Sequence, residues 1–311
     1  MERYYLTYKK MRVLLTGGLG FIGKRFIDNF QNSHDLIVFT TENSIKNFNP
    51  TEIPKVIIEK GSIEDDSFQK IMLKHKPEVV IHLAAKSGLK NCEENPDSAF
   101  NCNVFGTYNV IKTCAEMNSK LIFISSREVY GETINESTKE DDPLFPNNIY
   151  GITKMLAETL IINIGQKYNV DYIILRLTNV FGPGPYERGV NKIIKMAVKD
   201  KKIQIYGGEQ VVNIVYVDDI IELINSILCE KCSWNKIFNV GSNNTLKIKK
   251  FVDEVKGLVG NDVDIEYLPA RNIENSVFNP NLEKIQDEMK FTTKTSLIDG
   301  IQKTIKWIKS V

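Results

Sequence analysis

The stretch Arg12–Gly23 decides the fold and reads Arg-Val-Leu-Leu-Thr-Gly-Gly-Leu-Gly-Phe-Ile-Gly. A short apolar run, typical of a buried strand, leads directly into spaced glycines, and a helical pattern follows. Gly17 permits a tight turn, Gly20 lets the backbone approach a pyrophosphate, and Gly23 allows close packing of the helix on the strand. Because the first N–H groups of a helix attract anions, this stretch predicts a dinucleotide-binding turn.

Short apolar runs alternate with longer amphipathic stretches through the first half of the chain. Runs as apolar as these are expected when crossover helices cover both faces of a parallel sheet. The predicted strands are Arg12–Leu15, Asp35–Phe39, Val56–Glu59, Val79–Leu83, Leu121–Ser125 and Tyr172–Leu177. We therefore predict an α/β fold with a Rossmann-type, doubly wound parallel sheet.

The alternation of strands and helices becomes irregular after Asn179, where the cluster Gly182–Pro185 follows. A smaller, mixed C-terminal substrate-binding lobe is predicted to begin there. The dinucleotide-binding domain is predicted over residues 11–179 and 212–243, and the substrate-binding lobe over residues 180–211 and 244–311. Two segments, Asn213–Tyr216 and Lys236–Asn239, are predicted to return to the sheet. A C-terminal helix is predicted to start after Ser296.

The composition excludes several classes of protein. The 311 residues carry 40 Lys and Arg against 39 Asp and Glu, a formal net charge of +1, which argues against nucleic acid or an anionic membrane as a partner. No apolar run approaches the roughly 18 residues that span a bilayer. The first ten residues contain no apolar signal segment. We expect a cytoplasmic protein that binds neither nucleic acid nor a membrane.

The cysteines give no sign of a disulfide framework. There are five in a long chain, which agrees with a reducing compartment. Cys229 and Cys232 form a C-x-x-C pair, but neither a second pair nor a histidine cluster stands at metal-ligand spacing. Packing at the end of a helix is favoured over zinc or redox chemistry, and we predict no metal site.

The second predicted strand bears on the choice of cofactor. This strand usually ends in an acidic residue that binds the ribose hydroxyls of NAD. Here Asp35–Phe39 is followed by Thr40, Thr41 and Glu42, with Lys46 close behind. Threonine hydroxyls and an ammonium could accept the 2′-phosphate of NADP. Alternatively, Glu42 or the threonine hydroxyls hold the ribose of NAD, so both NAD and NADP stay open.

Tyr150 and Lys154 lie four residues apart at the start of a long helical pattern, so they share one helix face. Ser126 follows the strand Leu121–Ser125, whose carboxyl end faces the ligand crevice of such a sheet. An ammonium beside a phenol, whose pKa is ordinarily about 10, favours the phenolate and makes it a usable base. Ser126 can then steady a substrate oxygen while its proton moves to Tyr150 and hydride moves to a nicotinamide. The spacing alone is common on solvated helix faces, but its combination with the glycine turn favours catalysis.

Together these motifs resemble the extended short-chain dehydrogenase/reductase superfamily, in particular the NAD-dependent epimerase/dehydratase family acting on nucleotide sugars. The resemblance covers nearly the whole chain and rests on the segments Thr16–Gly23, His82–Ala85, Asn103–Thr107, Ser125–Gly131, Tyr150–Lys154, Arg176–Pro183 and Val215–Asp219. It implies that Ser126, Tyr150 and Lys154 are catalytic. It implies a homodimer built on helices within Asn101–Met117 and Ile149–Lys167.

The resemblance also implies the binding residues. A nicotinamide cofactor would be held by Gly17, Gly20, Phe21, Ile22, Thr40, Ser62, Ile63, Leu83, Ala84, Ala85, Tyr150 and Lys154. A nucleotide-sugar substrate would be contacted by Ser87, Asn179, Tyr206 and Arg271. His82 matches a structural position of the family, and we expect a buried residue there rather than an acid or base.

Two departures from the family pattern affect the functional prediction. Val212 stands where the family usually has an arginine that clamps the substrate diphosphate, and Arg188 or Lys192 are candidates to compensate. Glu128 is usual in sugar 4,6-dehydratases and uronate decarboxylases, where it can remove a proton beside a 4-keto group. Many dehydratases place an aspartate next to it, but here the neighbour is Arg127. Glu128 either acts as a base or is held in an ion pair.

The leading hypothesis is an NAD(P)-dependent enzyme that acts on nucleotide sugars through a transient 4-keto sugar. A nucleoside-diphosphate-hexose 4-epimerase is the main expectation. The alternatives are a 4,6-dehydratase with Glu128 as its base and an NADPH-dependent 4-ketoreductase. A more remote alternative, motivated by Val212, is a non-catalytic dinucleotide-binding regulator.

Overall fold

The computed structural model describes residues 10–46, 48–133, 137–185, 188–229, 233–260, 262–270 and 277–311. Its strands are β1 (Arg12–Thr16), β2 (Asp35–Thr40), β3 (Ile57–Lys60), β4 (Val79–His82), β5 (Lys120–Ser126), β6 (Tyr172–Leu177), β7 (Asn179–Phe181), β8 (Lys202–Tyr206), β9 (Val211–Tyr216), β10 (Lys236–Val240), β11 (Thr245–Lys247) and β12 (Asp264–Leu268). Its α-helices are α1 (Phe21–Phe30), α2 (Glu42–Lys46), α3 (Ser67–His75), α4 (Leu89–Glu94), α5 (Pro96–Phe100), α6 (Thr107–Met117), α7 (Ile149–Tyr168), α8 (Gly189–Lys195), α9 (Val217–Cys229), α10 (Ile248–Val259), α11 (Glu283–Met289) and α12 (Leu297–Ser310). Short π-helical turns lie at Asn101–Gly106 and Met196–Asp200, and 3₁₀ turns lie at Pro50–Glu52 and Arg127–Val129.

The central sheet has seven strands in the order β10, β6, β5, β4, β1, β2 and β3. All neighbouring strands run parallel, which confirms the predicted parallel sheet. The order of strands reverses between β1 and β4, and ligands bind at the carboxyl ends of the strands beside such a point. The strands β1, β4 and β5 end at Thr16, His82 and Ser126, which therefore lie at the same edge of the sheet.

Both faces of the sheet are buried, as the apolar strands predict. Leu15 and Ile81 point to one side and pack with apolar residues of α1 and α9. Leu14 and Val80, their neighbours in sequence, point to the other side and pack with α6 and α7. The helices thus lie on both sides of the sheet, and the doubly wound architecture is confirmed.

The second lobe contains a three-stranded sheet in the order β11, β9, β7 and a two-stranded sheet of β12 and β8. The predicted return to the central sheet at Lys236–Asn239 is confirmed by β10. The predicted return at Asn213–Tyr216 is wrong, because β9 pairs with β7 and β11 instead. Ile214 and Tyr216 on β9 pack in a third apolar cluster with α10 and α12, so the lobe's own helices bury this strand. The boundaries of the two domains stay a prediction.

A single residue, Thr178, separates β6 of the central sheet from β7 of the lobe. Its N–H donates to the Val240 carbonyl oxygen at 3.0 Å, and its hydroxyl donates to Asn213 Oδ1 at 3.0 Å. Asn213 donates in turn from Nδ2 to the Ser242 carbonyl oxygen at 2.6 Å and to Thr245 Oγ1 at 2.8 Å. The junction between the two sheets is therefore tied to several neighbouring segments.

The C-terminal helix is present where it was predicted. Ser296 precedes α12, and its hydroxyl oxygen accepts a hydrogen bond from the Asp299 N–H at 3.1 Å. Cys229 ends α9, whereas Cys232 lies outside the described residues. Within the described part of the chain, no helix combines the length and apolar character that crossing a membrane requires. The cytoplasmic location stays a prediction.

Candidate active site

The turn between β1 and α1 leaves space for an anion. Gly17 has a φ of +65°, and a Cβ added there would lie 2.8 Å from the Ala84 Cα. A Cβ on Gly23 would lie 2.5 Å from the Gly18 carbonyl oxygen, so the helix packs directly on the turn. Gly20 precedes α1 and has no side chain to cap the helix, and a Cβ there would approach only the Gly17 carbonyl oxygen, at 3.1 Å. The N-terminus of α1 therefore has no side-chain cap from Gly20, and the turn fits a dinucleotide pyrophosphate.

The other predicted cofactor residues follow the carboxyl ends of neighbouring strands. Phe21 and Ile22 begin α1, directly after the glycine turn. Thr40 ends β2 and is buried. Ser62 and Ile63 follow β3 on the same edge, and the Ile63 side chain is buried. The structure thus brings these residues to one edge of the sheet, while their contacts with a cofactor stay a prediction.

His82 is a buried structural residue at the carboxyl end of β4. It is fully buried, with Nδ1 2.6 Å from Thr16 Oγ1 and Nε2 3.0 Å from Thr107 Oγ1. The Thr107 hydroxyl donates its hydrogen to the Asn103 carbonyl oxygen, so Nε2 of His82 carries the proton and Nδ1 accepts from Thr16. Burial, together with the Lys154 charge, lowers the pKa of His82 to about 3. The imidazole is therefore neutral and joins β1, β4 and α6.

The loop after β4 carries Leu83, Ala84, Ala85 and Ser87 and is held by Asn103 from the π-helical turn before α6. Asn103 Oδ1 accepts from the Lys86 N–H at 2.8 Å, and Nδ2 donates to the Lys86 carbonyl oxygen at 2.9 Å. The same Nδ2 donates to Thr153 Oγ1 on α7 at 2.9 Å. One buried amide therefore fixes the loop against the helix that carries Tyr150 and Lys154.

Arg188 contacts the predicted substrate residue Ser87 across the cleft. Its Nη1 donates to the Ser87 Oγ at 2.7 Å and also to the Ser87 carbonyl oxygen. Arg188 precedes α8 in the second lobe, whereas Ser87 belongs to the loop after β4. The guanidinium thus joins the loop after β4 to the segment that precedes α8.

The predicted catalytic residues come together at the carboxyl end of β5. Lys154 is buried and donates from Nζ to the Ile124 carbonyl oxygen at 2.7 Å, which holds α7 against this strand. Tyr150, one turn earlier on the same face of α7, is partly exposed, as is Ser126 at the end of β5. Ser126 Oγ accepts from the Glu128 N–H at 3.2 Å, so its hydroxyl hydrogen can be donated elsewhere. The phenol and the hydroxyl thus belong to partly exposed residues, whereas the ammonium of Lys154 is buried.

The environment of Lys154 changes its acidity. Burial lowers the pKa of Lys154 to about 8, although the Glu158 carboxylate opposes the change. The ammonium lies 4.3 Å from the centre of the Phe123 ring. Lys154 is therefore protonated at neutral pH but loses its proton in the mildly alkaline range.

Glu128 is held on both sides. One oxygen lies 2.9 Å from Arg127 Nη2, and the other accepts from Asn148 Nδ2 at 3.0 Å. Both members of the ion pair are nearly buried, with 10% and 8% of the side chains exposed. Asn148 also caps α7, since its Oδ1 accepts from the Gly151 N–H at 2.8 Å. The predicted ion pair of Glu128 with Arg127 is present, and a catalytic role for Glu128 stays a prediction.

The predicted substrate residues lie in and beside the second lobe. Asn179 begins β7 and donates from Nδ2 to the Asn213 carbonyl oxygen at 3.1 Å, and Tyr206 ends β8 with 37% of its surface exposed. Arg271 lies outside the described residues. Val212 is 6% exposed and packs in the apolar cluster of the lobe. This position therefore supplies no polar group to a substrate.

Sequence reasoning missed Asn148, Glu158 and Arg176 near the site. Asn148 is an amide directly before a helix, the usual N-cap pattern, so a signal existed for it. Glu158 follows Tyr150 and Lys154 at the same four-residue spacing, which also indicates the same face of α7. The ion pair between Glu158 and Arg176 could not be predicted from the sequence, because it forms only when α7 packs on β6.

The fold is a parallel sheet with a glycine turn between β1 and the N-terminus of α1. On the same edge of the sheet, a serine ends β5, and α7, which packs on that strand, carries a tyrosine and a lysine. These features define a nicotinamide-dependent enzyme of the short-chain dehydrogenase/reductase type. The comparison with known families agrees. The chain belongs to the NAD-dependent epimerase/dehydratase family, which it matches over residues 13–241.

Individual relatives perform more than one reaction. The chain is similar to the solved UDP-glucose 4-epimerase of Thermotoga maritima, with a TM-score of 0.89 and 28% identity over 96% of this chain and 99% of that one. The UDP-N-acetylglucosamine 4-epimerase of Methanobrevibacter ruminantium gives a TM-score of 0.89 and 27% identity, covering 97% and 99%. The dTDP-D-glucose 4,6-dehydratase of Mus musculus is 27% identical over 318 residues, covering 96% of this chain and 88% of the relative.

Proposed function

We propose that the chain is an NAD-dependent 4-epimerase of nucleoside-diphosphate hexoses. The observation that carries the proposal is the placement of Ser126, Tyr150 and Lys154 at the carboxyl end of β5, on the same edge of the sheet as the glycine turn that follows β1. The similarity to two solved 4-epimerases supports it. The substrate would lie between the loop after β4 and the second lobe, with Ser87, Asn179, Tyr206 and Arg271 as its proposed contacts.

The proposed roles follow from the chemistry of each side chain. Tyr150 accepts the proton of the sugar C4 hydroxyl, and Ser126 donates a hydrogen bond to the same oxygen. Lys154 supplies the positive charge that stabilises the Tyr150 phenolate. When bound, NAD supplies a hydride acceptor that can also return the hydride. Because epimerisation consumes no net oxidant, Tyr150 gives the proton back to the same oxygen in the second half of the reaction.

For the cofactor we infer NAD rather than NADP. Glu42 begins α2, two residues after β2 ends at Thr40, and its carboxylate pairs with Lys60 of β3. A carboxylate at this edge can accept hydrogen bonds from ribose hydroxyls and repels a 2′-phosphate. The mass of the nucleotide that the protein releases on denaturation distinguishes the two cofactors.

The products of the reaction test the choice between epimerase and dehydratase. Glu128 lies two residues after Ser126, which is the observation that keeps a 4,6-dehydratase as the second candidate. After incubation with UDP-, GDP- and dTDP-hexoses, we expect an epimerised product of unchanged mass. The variant Glu128→Gln preserves an acceptor for Asn148 but removes the counter-ion of the nearly buried Arg127, so we expect a lower Tm. The folded variant is expected to retain most of the epimerase activity. Loss of water from the sugar, abolished by Glu128→Gln, would show a dehydratase instead, and a requirement for added NADPH would show a reductase.

The pKa of Lys154 predicts the alkaline limit of activity. We expect kcat/KM to fall as the pH rises through about 8, because Lys154 of the free protein is protonated below that pH and neutral above it. An unfolded lysine keeps its proton to about pH 10.4, so between these values the unfolded state binds more protons and the Lys154 contribution to stability increases with pH. The activity should therefore fall while circular dichroism shows an intact fold. A value of kcat/KM that is unchanged through pH 8 would contradict this role of Lys154.

We also propose a homodimer formed through α6 and α7. Phe105 and Tyr108, on the π-helical turn and the first turn of α6, are 61% and 41% exposed, although both are large apolar residues. Exposed apolar groups that lie close together on one surface favour association. Light scattering of the purified protein should give twice the chain mass, and Phe105→Glu should lower it towards one chain. A single-chain mass for the unsubstituted protein at micromolar concentration would contradict the proposal.

A further inference from the structure

Two residues of β5 are connected to two successive turns of α7. Lys154 donates to the Ile124 carbonyl oxygen at 2.7 Å, and the Ser125 hydroxyl donates to a carboxylate oxygen of Glu158. Tyr150, Lys154 and Glu158 follow one another at four-residue intervals, so they share one face of the helix. The rotation of α7 about its own axis is therefore fixed relative to the strand that ends at the catalytic serine.

A second strand fixes the same carboxylate. Arg176 on β6 donates from Nε to both oxygens of Glu158, each at 3.1 Å, and from Nη2 to Oε2 at 2.7 Å. The two side chains are only 3% and 2% exposed. Ser125 and Arg176 are opposite each other in the pairing of β5 with β6. Glu158 thus joins α7 to two adjacent strands, one residue before Ser126.

The remaining side of Arg176 is also engaged. Its Nη1 donates to the Tyr130 hydroxyl oxygen at 2.7 Å, and this hydroxyl donates to Asn239 Oδ1 on β10 at 2.7 Å. Burial raises the pKa of Tyr130 to about 12, so this phenol keeps its hydrogen. Because each partner is held in turn, neither Arg176 nor Glu158 can reorient without breaking several buried hydrogen bonds.

A buried ion pair is weak evidence for stability, because apolar side chains of similar volume often serve as well. Hydrogen bonds between buried charged groups are directional, so they fix the relative orientation of their elements better than apolar side chains do. We propose that Glu158 is a positioning residue that, through Ser125 and Arg176, holds Tyr150 and Lys154 in register with Ser126. This inference rests on the proposed function, since it assigns Tyr150 and Ser126 to the same reacting hydroxyl.

The charges around Lys154 agree with this role. Glu158 lies one turn further along the same face of α7 and carries the negative charge, while the other titratable groups around Lys154 are the thiols of Cys92 and Cys102, whose pKa values are raised by burial, and the neutral imidazole of His82. Burial lowers the pKa of Lys154, and the Glu158 charge opposes that change. Displacing Glu158 therefore weakens both the alignment and the charge of the ammonium next to Tyr150.

The substitution Ser125→Ala tests the proposal. Glu158→Gln is less suitable, because it leaves the Arg176 charge buried without a counter-ion and threatens the fold. Ser125→Ala removes one link from Glu158 to β5 and leaves the ion pair in place. We expect kcat to fall about tenfold with the KM for the nucleotide sugar unchanged, and Ser125→Thr, which keeps the hydroxyl, to restore kcat to within about twofold.

The matched control is Asp218→Asn, which weakens a partly buried ion pair with Arg25 that joins α9 to α1. It should lower the Tm without changing kcat. An unchanged kcat in Ser125→Ala, or an equal fall in Asp218→Asn, would overturn the positioning role.

A second readout does not depend on turnover. The ionisation of Tyr150 can be followed as tyrosinate absorbance, by subtracting the same protein carrying Tyr150→Phe. We expect the midpoint of the Tyr150 titration to lie at higher pH in Ser125→Ala than in the unsubstituted protein, and to move back towards the unsubstituted value in Ser125→Thr. A midpoint in Ser125→Ala equal to that of the unsubstituted protein would overturn the inference. If the unsubstituted chain converts no nucleotide sugar, the proposed function fails, and this titration still decides the role of Glu158.

Discussion

The variant Tyr150→Phe is expected to lose about three orders of magnitude in kcat while its fold and its bound dinucleotide are retained. Removal of the phenolic oxygen leaves the C4 hydroxyl of the sugar without a base, and a positioned acid or base contributes about 10²- to 10⁴-fold. The ring itself stays, so the packing of the first turn of α7 is preserved. The effect should appear in kcat for every substrate that the enzyme accepts.

The helix offers a matched control for this experiment. Tyr168, the last residue of α7, is 55% exposed and lies far along the helix from Tyr150. Tyr168→Phe should therefore leave kcat and the content of bound dinucleotide unchanged. Turnover by Tyr150→Phe at the normal rate would remove the phenol from the mechanism. An unchanged cellular role of Tyr150→Phe, with the dinucleotide still bound, would favour the regulator hypothesis.

The second large effect is expected for Gly17→Ala, which should weaken dinucleotide binding by about ten- to a hundredfold in Kd. A methyl group at this position would lie 2.8 Å from the Ala84 Cα, and the φ of +65° is strained for any residue with a Cβ. Strain of this kind costs about 1–3 kcal/mol, and relief requires the loop after β4 to move away from the turn. Since these two segments form the proposed cofactor site, we expect the cost to appear in the Kd of the dinucleotide.

The amount and mass of the nucleotide released on denaturation measure this effect. Gly257→Ala is the matched control, since an added Cβ at this helical position meets nothing within 4 Å. It should release as much nucleotide as the unsubstituted chain, and that nucleotide should be NAD. Release of NADP would contradict the role proposed for Glu42. Equal nucleotide content in Gly17→Ala would show that the turn tolerates a side chain.

Much of the fold could be predicted from the sequence because its signals are local. The glycines of Arg12–Gly23 and the start of α7 depend on neighbours a few residues away, and both were found where the sequence placed them. The parallel sheet followed from strands that are apolar on both faces. His82 was also predicted as a structural residue, because a histidine inside such a strand has little access to solvent.

The sequence was less informative where partners come from distant segments. Asn213–Tyr216 is as apolar as a central strand, and nothing local shows that it pairs with β7 and β11. The hydrogen bonds from Arg176 to Glu158 join a strand to a helix and exist only once both are packed. For Glu128 the sequence supplied both alternatives, and the contact of its carboxylate with Asn148 shows how closely that group is held.

The junction at Thr178 bears on how the enzyme can move. Rotation of one lobe against another needs a few residues that are free to change φ and ψ, and at this crossing a single buried residue is bonded to Val240 and Asn213. There is no place here for a hinge. The two sheets are therefore expected to keep their relative orientation at this crossing, and a rotation of the lobes would have to turn about other crossings of the chain, such as the segment between β10 and β11.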